Sequence, residues 1–480
     1  MDAVAAVARA LAYSRPGSHL IAYQSLGLPA YVLRLEAVAQ RRKPVPAIEE
    51  FVLASIDAGV DQPDDIAGYL GLDARLTERA LVSQLGAGHV AYSLSPQGSR
   101  ALALTPRGLT ALRELVSVQP ERTEISVVFD RLRWKVGGIP DRSLIPPRDF
   151  RWACARPQRT RLPTLDEIEI DDVATAVAIA FGRREARRDP ESDMQLLSVS
   201  AIQHSASRYV LSAALVYQPI RSDECDLVVA VDGRPDMTYT ESVIAGGGRA
   251  QVGVDSVLAR RRQTLDAATK GIRKDLSGQL PSKKQLDATR SRLVELEQML
   301  GARGSGDTDG ANGLESSEDL RDEIARERRT LHEMPVRFVE PWEHVGLLND
   351  ALEFARTRCV IAADVIGSAT INPSFLGLLE RACRRGVSCV VVYREELDPG
   401  PGQSQASREL LSLAERLSGR LSVVRRDERL TGALIVDDEW VASQFPWLSF
   451  VDDMGLRVEV GLAVTLSADV EDAFVGLTSR

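Results

Sequence analysis

The sequence has no long hydrophobic run and no basic N-terminal leader. Its apolar stretches all fall short of the roughly 20 residues that cross a bilayer as a helix. The first seven residues, MDAVAAV, contain no Lys or Arg of the kind that opens a signal peptide. We therefore expect a cytoplasmic protein that does not enter a membrane.

Cysteine is scarce, and the common catalytic motifs are missing. The five cysteines are scattered, odd in number and without a Cys-x-x-Cys pair, which argues against a disulfide framework and a cysteine zinc site. There is no Gly-x-x-x-x-Gly-Lys-Ser/Thr phosphate loop, no Gly-x-Ser-x-Gly elbow and no His-x-x-x-His pair. We predict no cofactor and no metal.

The composition is that of a soluble, folded chain. Hydrophobic residues make up 44% and charged residues 26% of 480 residues, and this length corresponds to two to four domains at roughly 100–200 residues each. The net charge of −9 opposes a general affinity for nucleic acid. Because charge is distributed unevenly between domains, the net charge of the whole chain does not decide the nucleic-acid affinity of each segment.

Residues 44–114 show the pattern helix, helix, helix, hairpin, helix. Asp73 is a predicted N-cap of the third helix, and Thr105 is a predicted N-cap of the last helix. A turn at residues 95–98 separates two extended stretches and predicts the hairpin. The predicted inward side chains are Ile48, Phe51, Val52 and Ile56 on the first helix, and Leu76, Ala80, Leu81 and Leu85 on the third.

The segments DDIAGYLGLDARLTERALVSQL and LALTPRGLTAL resemble a winged helix-turn-helix domain over about 70 residues. This resemblance implies that the third helix enters the DNA major groove and that the hairpin wing contacts the backbone. The residues it places toward nucleic acid are Arg75, Thr77, Arg79 and Ser83 on the third helix, and Gln97, Ser99 and Arg100 on the wing.

The charge balance of the same segment is also compatible with a structural or protein-binding role. Residues 41–114 carry eight basic and nine acidic side chains, whereas phosphate binding requires a positive face. Most of the acids lie on the first two helices, while the third helix and the wing keep arginines. Double-stranded DNA and a protein partner are therefore both candidate ligands.

The flanking segments are less informative. Residues 1–43 read as an alanine-rich helical extension, and residues 115–253 read as an α+β domain with a mostly antiparallel sheet. The elements predicted in the latter domain are a strand at Ile125–Phe129, a helix at Asp171–Phe181, and strands at Leu196–Ile202, Tyr209–Tyr217, Asp226–Val231 and Met237–Val243.

Residues 254–335 predict a helical hairpin. Leu286, Leu293, Leu296 and Leu300 follow a coiled-coil spacing. A second run of apolar residues resumes this spacing after a gap. Between the two runs lies a glycine-rich stretch, residues 301–313, that predicts a flexible loop. Such a hairpin either protrudes from the body, as a site of homodimerisation or partner docking, or packs locally.

Residues 336–480 alternate helix and strand, which predicts an α/β layered domain. The segment LTGALIVDDEWVASQFPWLSF, with LERACRRGVSCVVVY before it and LRVEVGL after it, resembles the phospholipase D superfamily over about residues 336–475. In active members a histidine attacks phosphorus, a lysine holds the phosphate oxygens and an aspartate orients a histidine.

The resemblance places these family positions on residues that have lost the chemistry. The histidine position is Leu430, the lysine position is Gly432, and Asp437 alone keeps its type. The motif's other degenerate or retained positions include Ser443 and Glu459, and no second copy of the motif is evident. We therefore expect no catalytic residue and no enzyme activity.

The parts together predict an α+β multidomain protein. Its segments are the extension 1–43, the winged helix 44–114, the middle domain 115–253, the helical hairpin 254–335 and the degenerate phospholipase D-like domain 336–480. The first functional hypothesis is a non-catalytic DNA-associated accessory protein of a bacterial DNA-processing or anti-phage system, with an ATPase or nuclease as partner. The alternatives are a ligand-responsive transcription regulator and a protein-binding scaffold without DNA contact.

Overall fold

The computed structural model describes residues 3–94, 100–137, 144–185, 194–220, 222–270, 280–304, 311–395, 399–417, 419–451 and 455–479. Within them the chain is a mixed α/β, multidomain protein with several sheets. The helices are α1 Ala3–Leu11, α2 Ala47–Asp57, α3 Pro63–Leu70, α4 Ala74–Gly86, α5 Pro106–Glu114, α6 Ile170–Glu185, α7 Met237–Ala245, α8 Gly248–Val252, α9 Val257–Lys270, α10 Lys283–Gly304, α11 Ala311–His332, α12 His344–Phe354, α13 Pro373–Arg384, α14 Pro401–Arg416 and α15 Ser467–Thr478.

The strands follow in the same chain order. They are β1 Ser18–Pro44, β2 Val90–Leu94, β3 Arg100–Leu104, β4 Val116–Asp130, β5 Lys135–Val136, β6 Leu144–Ile145, β7 Ala153–Cys154, β8 Met194–Pro219, β9 Asp226–Val231, β10 Arg234–Pro235, β11 Val336–Val339, β12 Arg358–Ala363, β13 Ser388–Arg394, β14 Leu421–Arg426, β15 Ala433–Val436, β16 Glu439–Ser443 and β17 Gly461–Val464.

The chain forms two compact units. The first unit comprises Met1–Pro29, Ile145–Gln158 and Tyr209–Arg480, and the second comprises Ala30–Leu144 and Arg159–Arg208. Two of these boundaries fall inside β1 and β8, so each of these strands supplies residues to both units. The boundaries between the five segments proposed from the sequence stay predictions.

Residues 18–44 form a strand, so the prediction that residues 1–43 are helical is wrong beyond α1. In the second unit, β1 pairs antiparallel with β4 from Ala30 opposite Asp130 to Pro44 opposite Val116. The buried side chains alternate along it, at Tyr31, Leu33, Leu35, Ala37 and Ala39, which is the period of a strand with one buried face. Alanine and leucine favour helix in isolation, but cross-strand pairing and burial override that propensity.

The core of the second unit confirms two predicted elements. The strand predicted at residues 125–129 lies inside β4, and the helix predicted at residues 171–181 lies inside α6. Leu33, Phe129 and Val173 are fully buried in one cluster formed by β1, β4 and α6. Burial of these large apolar side chains provides most of the stabilisation of this sheet-and-helix layer.

The order helix, helix, helix, hairpin, helix is confirmed by α2, α3, α4, β2–β3 and α5. The Asp73 carboxylate accepts a hydrogen bond from the Arg75 amide at 2.8 Å, and the Thr105 hydroxyl accepts one from the Gly108 amide at 3.1 Å. Both predicted N-caps are therefore present. Gly71 ends α3 with a φ of +62°, a left-handed conformation that glycine adopts without strain.

The buried faces of α2 and α4 differ from the prediction by about one residue of rotation. Ile48, Phe51 and Leu76 were predicted to point inward, but 39%, 56% and 43% of their respective surfaces are exposed. The buried residues are Val52, Leu53, Ser55 and Ile56 on α2, and Thr77, Ala80, Leu81 and Gln84 on α4.

Gln84 is fully buried because it has polar partners from two other elements. Its amide donates to the Glu49 carboxylate at 2.6 Å, and its carbonyl oxygen lies 2.7 Å from Nδ1 of His89. Hydrophobic periodicity cannot anticipate a buried glutamine, since such burial is tolerated only when the hydrogen bonds are satisfied.

Two elements of the predicted middle domain differ from expectation. The strands predicted at residues 196–202 and 209–217 are parts of the single strand β8, and residues 237–243 lie in helix α7 rather than in a strand. The Asp236 carboxylate caps α7 by accepting a hydrogen bond from the Tyr239 amide at 3.0 Å. The β-branched residues within 237–243 favour a strand by themselves, but this N-cap stabilises a helix.

Helices α10 and α11 form the predicted hydrophobic seam. Their shared cluster contains Leu286, Leu293, Leu296, Leu320, Ile324, Leu331 and Met334. Both ends of the predicted loop 301–313 are helical, because α10 continues to Gly304 and α11 begins at Ala311; residues 305–310 lie outside the described residues.

The helical hairpin packs along the first unit rather than protruding from it. The Arg9 guanidinium of α1 contacts the Glu297 carboxylate of α10 at 2.8 Å. Deeper in the unit, the Arg290 guanidinium contacts the Glu343 carboxylate at 2.5 Å, with 3% and 9% of the two side chains exposed. These buried partners favour the local-packing alternative for this segment.

The C-terminal sheet has the order β11-β17-β16-β15-β12-β13-β14. Strands β12, β13 and β14 are parallel, while β15, β16 and β17 join them antiparallel. Helices α13 and α14 provide the crossovers between the parallel strands, so the predicted helix–strand alternation of this segment is confirmed. The sheet places the ends of β12, β15 and β16 beside the degenerate motif.

Candidate functional site

The predicted DNA-contacting residues fall into three groups. Arg75, Arg79 and Ser83 are exposed on α4, and Arg100 is exposed at the start of β3. Thr77 is only 1% exposed, so its predicted outward position is wrong. Gln97 and Ser99 lie outside the described residues.

Thr77 faces the core because it lies on the same side of α4 as Ala80, Leu81 and Gln84. Its hydroxyl donates to the Asp73 carbonyl at 3.4 Å, which satisfies the buried oxygen within the helix. The outward face of α4 consequently carries Arg75 and Arg79 with the apolar Val82, which is 63% exposed.

The wing carries a third exposed arginine, Arg100. The Arg100 guanidinium lies 5.6 Å from the centre of the Tyr92 ring, a distance typical of a cation–π contact. The Arg100 carbonyl accepts a hydrogen bond from the Gln62 side chain at 3.0 Å. The second contact holds the first residue of β3 beside Gln62, which precedes α3, within the same compact unit as α4.

In the segment that resembles the phospholipase D motif, Leu430 stands where the resemblance places a nucleophilic histidine. Its backbone amide donates to the Asp364 carboxylate at 3.2 Å, and its side chain packs on a cluster that includes Val360 and Ile435. Asp364 also pairs with the Arg394 guanidinium at 2.8 Å. The leucine therefore contributes packing and provides no group that could attack phosphorus.

Gly432, where the sequence resemblance places a lysine, leaves no room for a side chain. A Cβ atom added here would lie 2.4 Å from the carbonyl oxygen of Ser443, 3.0 Å from that of Phe445 and 3.3 Å from Cδ1 of Trp447. Phe445 and Trp447 are 1% and 0% exposed. The volume beside the glycine is therefore already filled by backbone and aromatic rings.

Ser443 has a histidine partner that sequence reasoning missed. Its hydroxyl lies 2.8 Å from Nε2 of His344, which begins α12 and is 99 residues away in the sequence. The imidazole also stacks on Phe445, with the ring centres 4.7 Å apart. Both His344 and Ser443 are 0% exposed. No short-range signal links these residues, since only the sheet topology brings α12 to the end of β16.

Burial lowers the pKa of His344 from its ordinary value near 6.5 to about 4. The folded state therefore holds the imidazole neutral, while the unfolded chain takes up a proton below pH 6.5. A serine and a neutral histidine resemble a nucleophile–base pair. Substrate has no access to either group, so their hydrogen bond stabilises the packing of α12 on the sheet.

We expect His344 to make the stability of the protein decrease with acidification. Because its folded pKa is below its unfolded pKa, the stabilisation is complete above pH 6.5 and is lost as the pH falls toward 4, by about 3 kcal/mol. Urea unfolding at pH 7.5 and pH 4.5 measures this slope. In His344→Gln, the part of the slope due to His344 should disappear; an unchanged slope would contradict the assignment.

Asp437 holds the turn between β15 and β16. Its φ is +50°, and its carboxylate accepts hydrogen bonds from the backbone amides of Arg356, Thr357 and Arg358 and from the Thr357 hydroxyl, the shortest at 2.7 Å. Partial burial raises its pKa, but these hydrogen bonds outweigh burial and hold the pKa below its usual value. This geometry fits a structural role.

Glu459 is a buried acid that lies just before β17. Its side chain is close to Arg457, with 3.9 Å between Oε1 and the guanidinium, and it accepts a hydrogen bond from the Val458 amide at 3.0 Å. Only 9% of Glu459 and 4% of Arg457 is exposed. The retained motif residue thus neutralises a buried arginine.

Two neighbouring cavities lie in the first unit, with volumes of about 260 and 140 Å³. Arg261, Asp287 and Glu340 line both of them. The larger one has apolar walls from Leu265, Leu286, Phe338 and Val460. It is slightly smaller than the usual volume of a drug-sized ligand site.

Within the described ranges, no group of three or more His, Cys, Asp or Glu side chains is arranged to hold a metal ion. The same part of the chain contains no helix with the length and apolar character needed to span a bilayer.

No known family model matches the chain, and no protein of curated function matches its sequence. Solved structures resemble parts of it. An archaeal chromatin protein, TrmBL2, whose structure shows a novel mode of DNA binding, is 18% identical with a TM-score of 0.23; the match covers 35% of this chain and 60% of that protein.

Two enzymes are similar at the same level. The phospholipase D family member Nuc from Salmonella typhimurium is 17% identical with a TM-score of 0.24, over 30% of this chain and 91% of that one. Phosphatidylserine synthase from Haemophilus influenzae is 14% identical with a TM-score of 0.24, over 35% of this chain and 45% of that one. Likeness at these TM-scores is weak and carries no argument about function.

Proposed function

We propose that this chain is a non-catalytic accessory protein that contacts double-stranded DNA through a winged helix and recruits a protein partner. The observation that carries the proposal is the exposed face of α4, where Arg75 and Arg79 follow the turn at Gly71 and lie in one unit with the Arg100 wing. A helix presented in this way is the element that winged domains insert into the major groove.

The near-neutral charge of residues 41–114 limits the affinity of this contact. Few phosphates can be neutralised by the exposed arginines of α4 and the wing, and the acids of α2 and α3 repel the backbone. Binding is therefore weak and sensitive to salt. A second DNA-binding surface in a partner or in a dimer would raise the affinity through effective concentration.

We expect the double substitution Arg75→Ala/Arg79→Ala to weaken duplex binding and to lower the slope of log K against log salt by about 2, since each phosphate contact contributes about 1. Fluorescence anisotropy with a labelled duplex from 50 to 200 mM salt measures both quantities. Arg122→Ala is the matched control, because Arg122 is an arginine of the same unit whose side chain is 84% exposed. An unaltered slope in the double variant would support the scaffold without DNA contact.

The non-catalytic part of the proposal rests on the degenerate motif. Leu430 provides no nucleophile, the position of Gly432 is closed by Ser443 and Trp447, and Asp437 is engaged by backbone amides. In this proposal the phospholipase D-like fold serves as a recruitment surface in a DNA-processing or anti-phage system. The catalytic work belongs to an ATPase or nuclease in another chain.

The second candidate is a ligand-responsive transcription regulator, which the cavities of the first unit favour. Their charged and apolar lining suits a small polar metabolite. A thermal-shift screen of metabolites measures this: a compound that raises the midpoint in wild type but not in Arg261→Ala would favour the regulator over the accessory protein.

A further inference from the structure

Helix α2 is apolar on two faces. Its inner face packs in the core of residues 45–112 through Val52, Leu53 and Ile56. Its outer face carries an exposed stripe, hereafter the α2 stripe, made of Ala47, Ile48, Phe51, Ala54 and Ala58, the last of which caps the helix. The spacing 47, 51, 54, 58 is that of one side of a helix.

The size of the central side chain makes the α2 stripe unusual. Phe51 is 56% exposed and Ile48 is 39% exposed, whereas the alanines beside them leave the backbone open to close approach. An exposed phenylalanine framed by small residues is the geometry in which a helix receives a partner's apolar side chains. Single exposed apolar residues are common, but a continuous helical row of them marks an interaction surface.

The charged side chains of α2 and α3 themselves are all negative. Glu50 and Asp57 flank it on α2, and Asp61, Asp64 and Asp65 follow before and in α3. No lysine or arginine occurs between residues 44 and 74. The acids that oppose DNA binding are thus concentrated on the two helices that precede α4.

We propose that the α2 stripe docks a basic amphipathic helix of a partner protein. Its apolar side chains would contact Phe51 and Ile48, and its flanking Lys or Arg residues would pair with Glu50 and Asp57. Charge complementarity selects this partner, because a second copy of the chain would bring the same acids against each other. The proposal rests on the proposed function, for which it names the recruitment surface.

The full-length protein can be titrated with a fluorescent 18-residue peptide that carries Leu at positions i, i+3, i+4 and i+7 and Lys on both flanks of that seam. We expect binding that weakens with salt and at least tenfold weaker binding to Phe51→Ser. Ile179→Ser is the matched control, since Ile179 is a 43% exposed aliphatic residue on α6 of the same unit, and it should bind as wild type does. A peptide with Glu in place of Lys should not bind.

Three results would overturn the proposal: equal binding by wild type and Phe51→Ser, equal binding of the Glu peptide, or a wild-type dimer in sedimentation that Phe51→Ser converts to monomer. The last result would show that a second copy covers the α2 stripe. Duplex binding measured on the same variants separates the two proposals, because Phe51→Ser should keep DNA affinity while Arg75→Ala/Arg79→Ala should keep peptide affinity.

Discussion

Replacing Arg290 with alanine is expected to lower the free energy of unfolding by about 3–5 kcal/mol, the usual cost of removing one partner of a buried ion pair. The guanidinium contacts Glu343 through two nitrogens, at 3.2 and 2.5 Å, and also donates to the Phe338 carbonyl. Without it, the Glu343 carboxylate stays buried beside Arg337, at 3.7 Å, with most of its hydrogen bonds lost. The helical hairpin would lose its deepest contact with the sheet.

Urea unfolding followed by circular dichroism measures this effect. Arg292→Ala is the matched control on the same helix, because Arg292 is 43% exposed and pairs with Glu323 at the surface; it should cost less than about 1 kcal/mol. The double variant Arg290→Met/Glu343→Gln should be more stable than Arg290→Ala, since it removes both charges. If Arg290→Ala and Arg292→Ala lowered the free energy of unfolding equally, the result would contradict the idea that burial makes the Arg290 pair important.

Introducing the histidine and lysine of the phospholipase D motif with Leu430→His/Gly432→Lys is expected to give no phosphodiesterase activity and a destabilised protein. The lysine side chain would have to displace the Ser443 carbonyl and the ring of Trp447, which stand 2.4 and 3.3 Å from a Cβ at this position. Gly432→Ala alone should cost about 1–3 kcal/mol, as overpacking of a filled core does.

Hydrolysis of bis(p-nitrophenyl) phosphate and thermal unfolding measure the two outcomes. Gly377→Ala is the control, because Gly377 lies within α13 and its added Cβ would meet only the end of the Arg381 side chain, at 3.6 Å. That substitution should stabilise the protein by roughly 0.5–1 kcal/mol through helix propensity. Activity in the double variant would show that the motif is only two substitutions away from function.

Local patterns predicted most of the elements and some of their ends. The caps at Asp73 and Thr105, the leucine seam of α10 and α11, and the strands around residues 358 and 388 all follow from neighbours within a few positions in the chain. The errors arose where two assignments share nearly the same pattern. On α4, rotation by one residue exchanges Leu76 for Thr77, and hydrophobicity favours the wrong one.

Long-range contacts decided the remaining features. Residues 18–44 look helical by composition, yet they form a strand, and residues 30–44 of it pair in register with β4. Gln84 is buried because its amide donates to the Glu49 carboxylate and its carbonyl oxygen accepts from Nδ1 of His89. Neither feature can be predicted from the residues within one helical turn of the position concerned.

The sequence by itself determined that leucine and glycine stand at positions 430 and 432, where the phospholipase D resemblance places a histidine and a lysine, and that lysine and arginine are missing between residues 44 and 74. Only the tertiary structure decided that Gly432 is closed by Ser443, that the Ser443 hydroxyl lies beside Nε2 of His344, and that Phe51 faces solvent. The physical reason is that residue identity fixes which chemistry is available, whereas packing between distant segments fixes which side chains are buried and which remain accessible to a ligand.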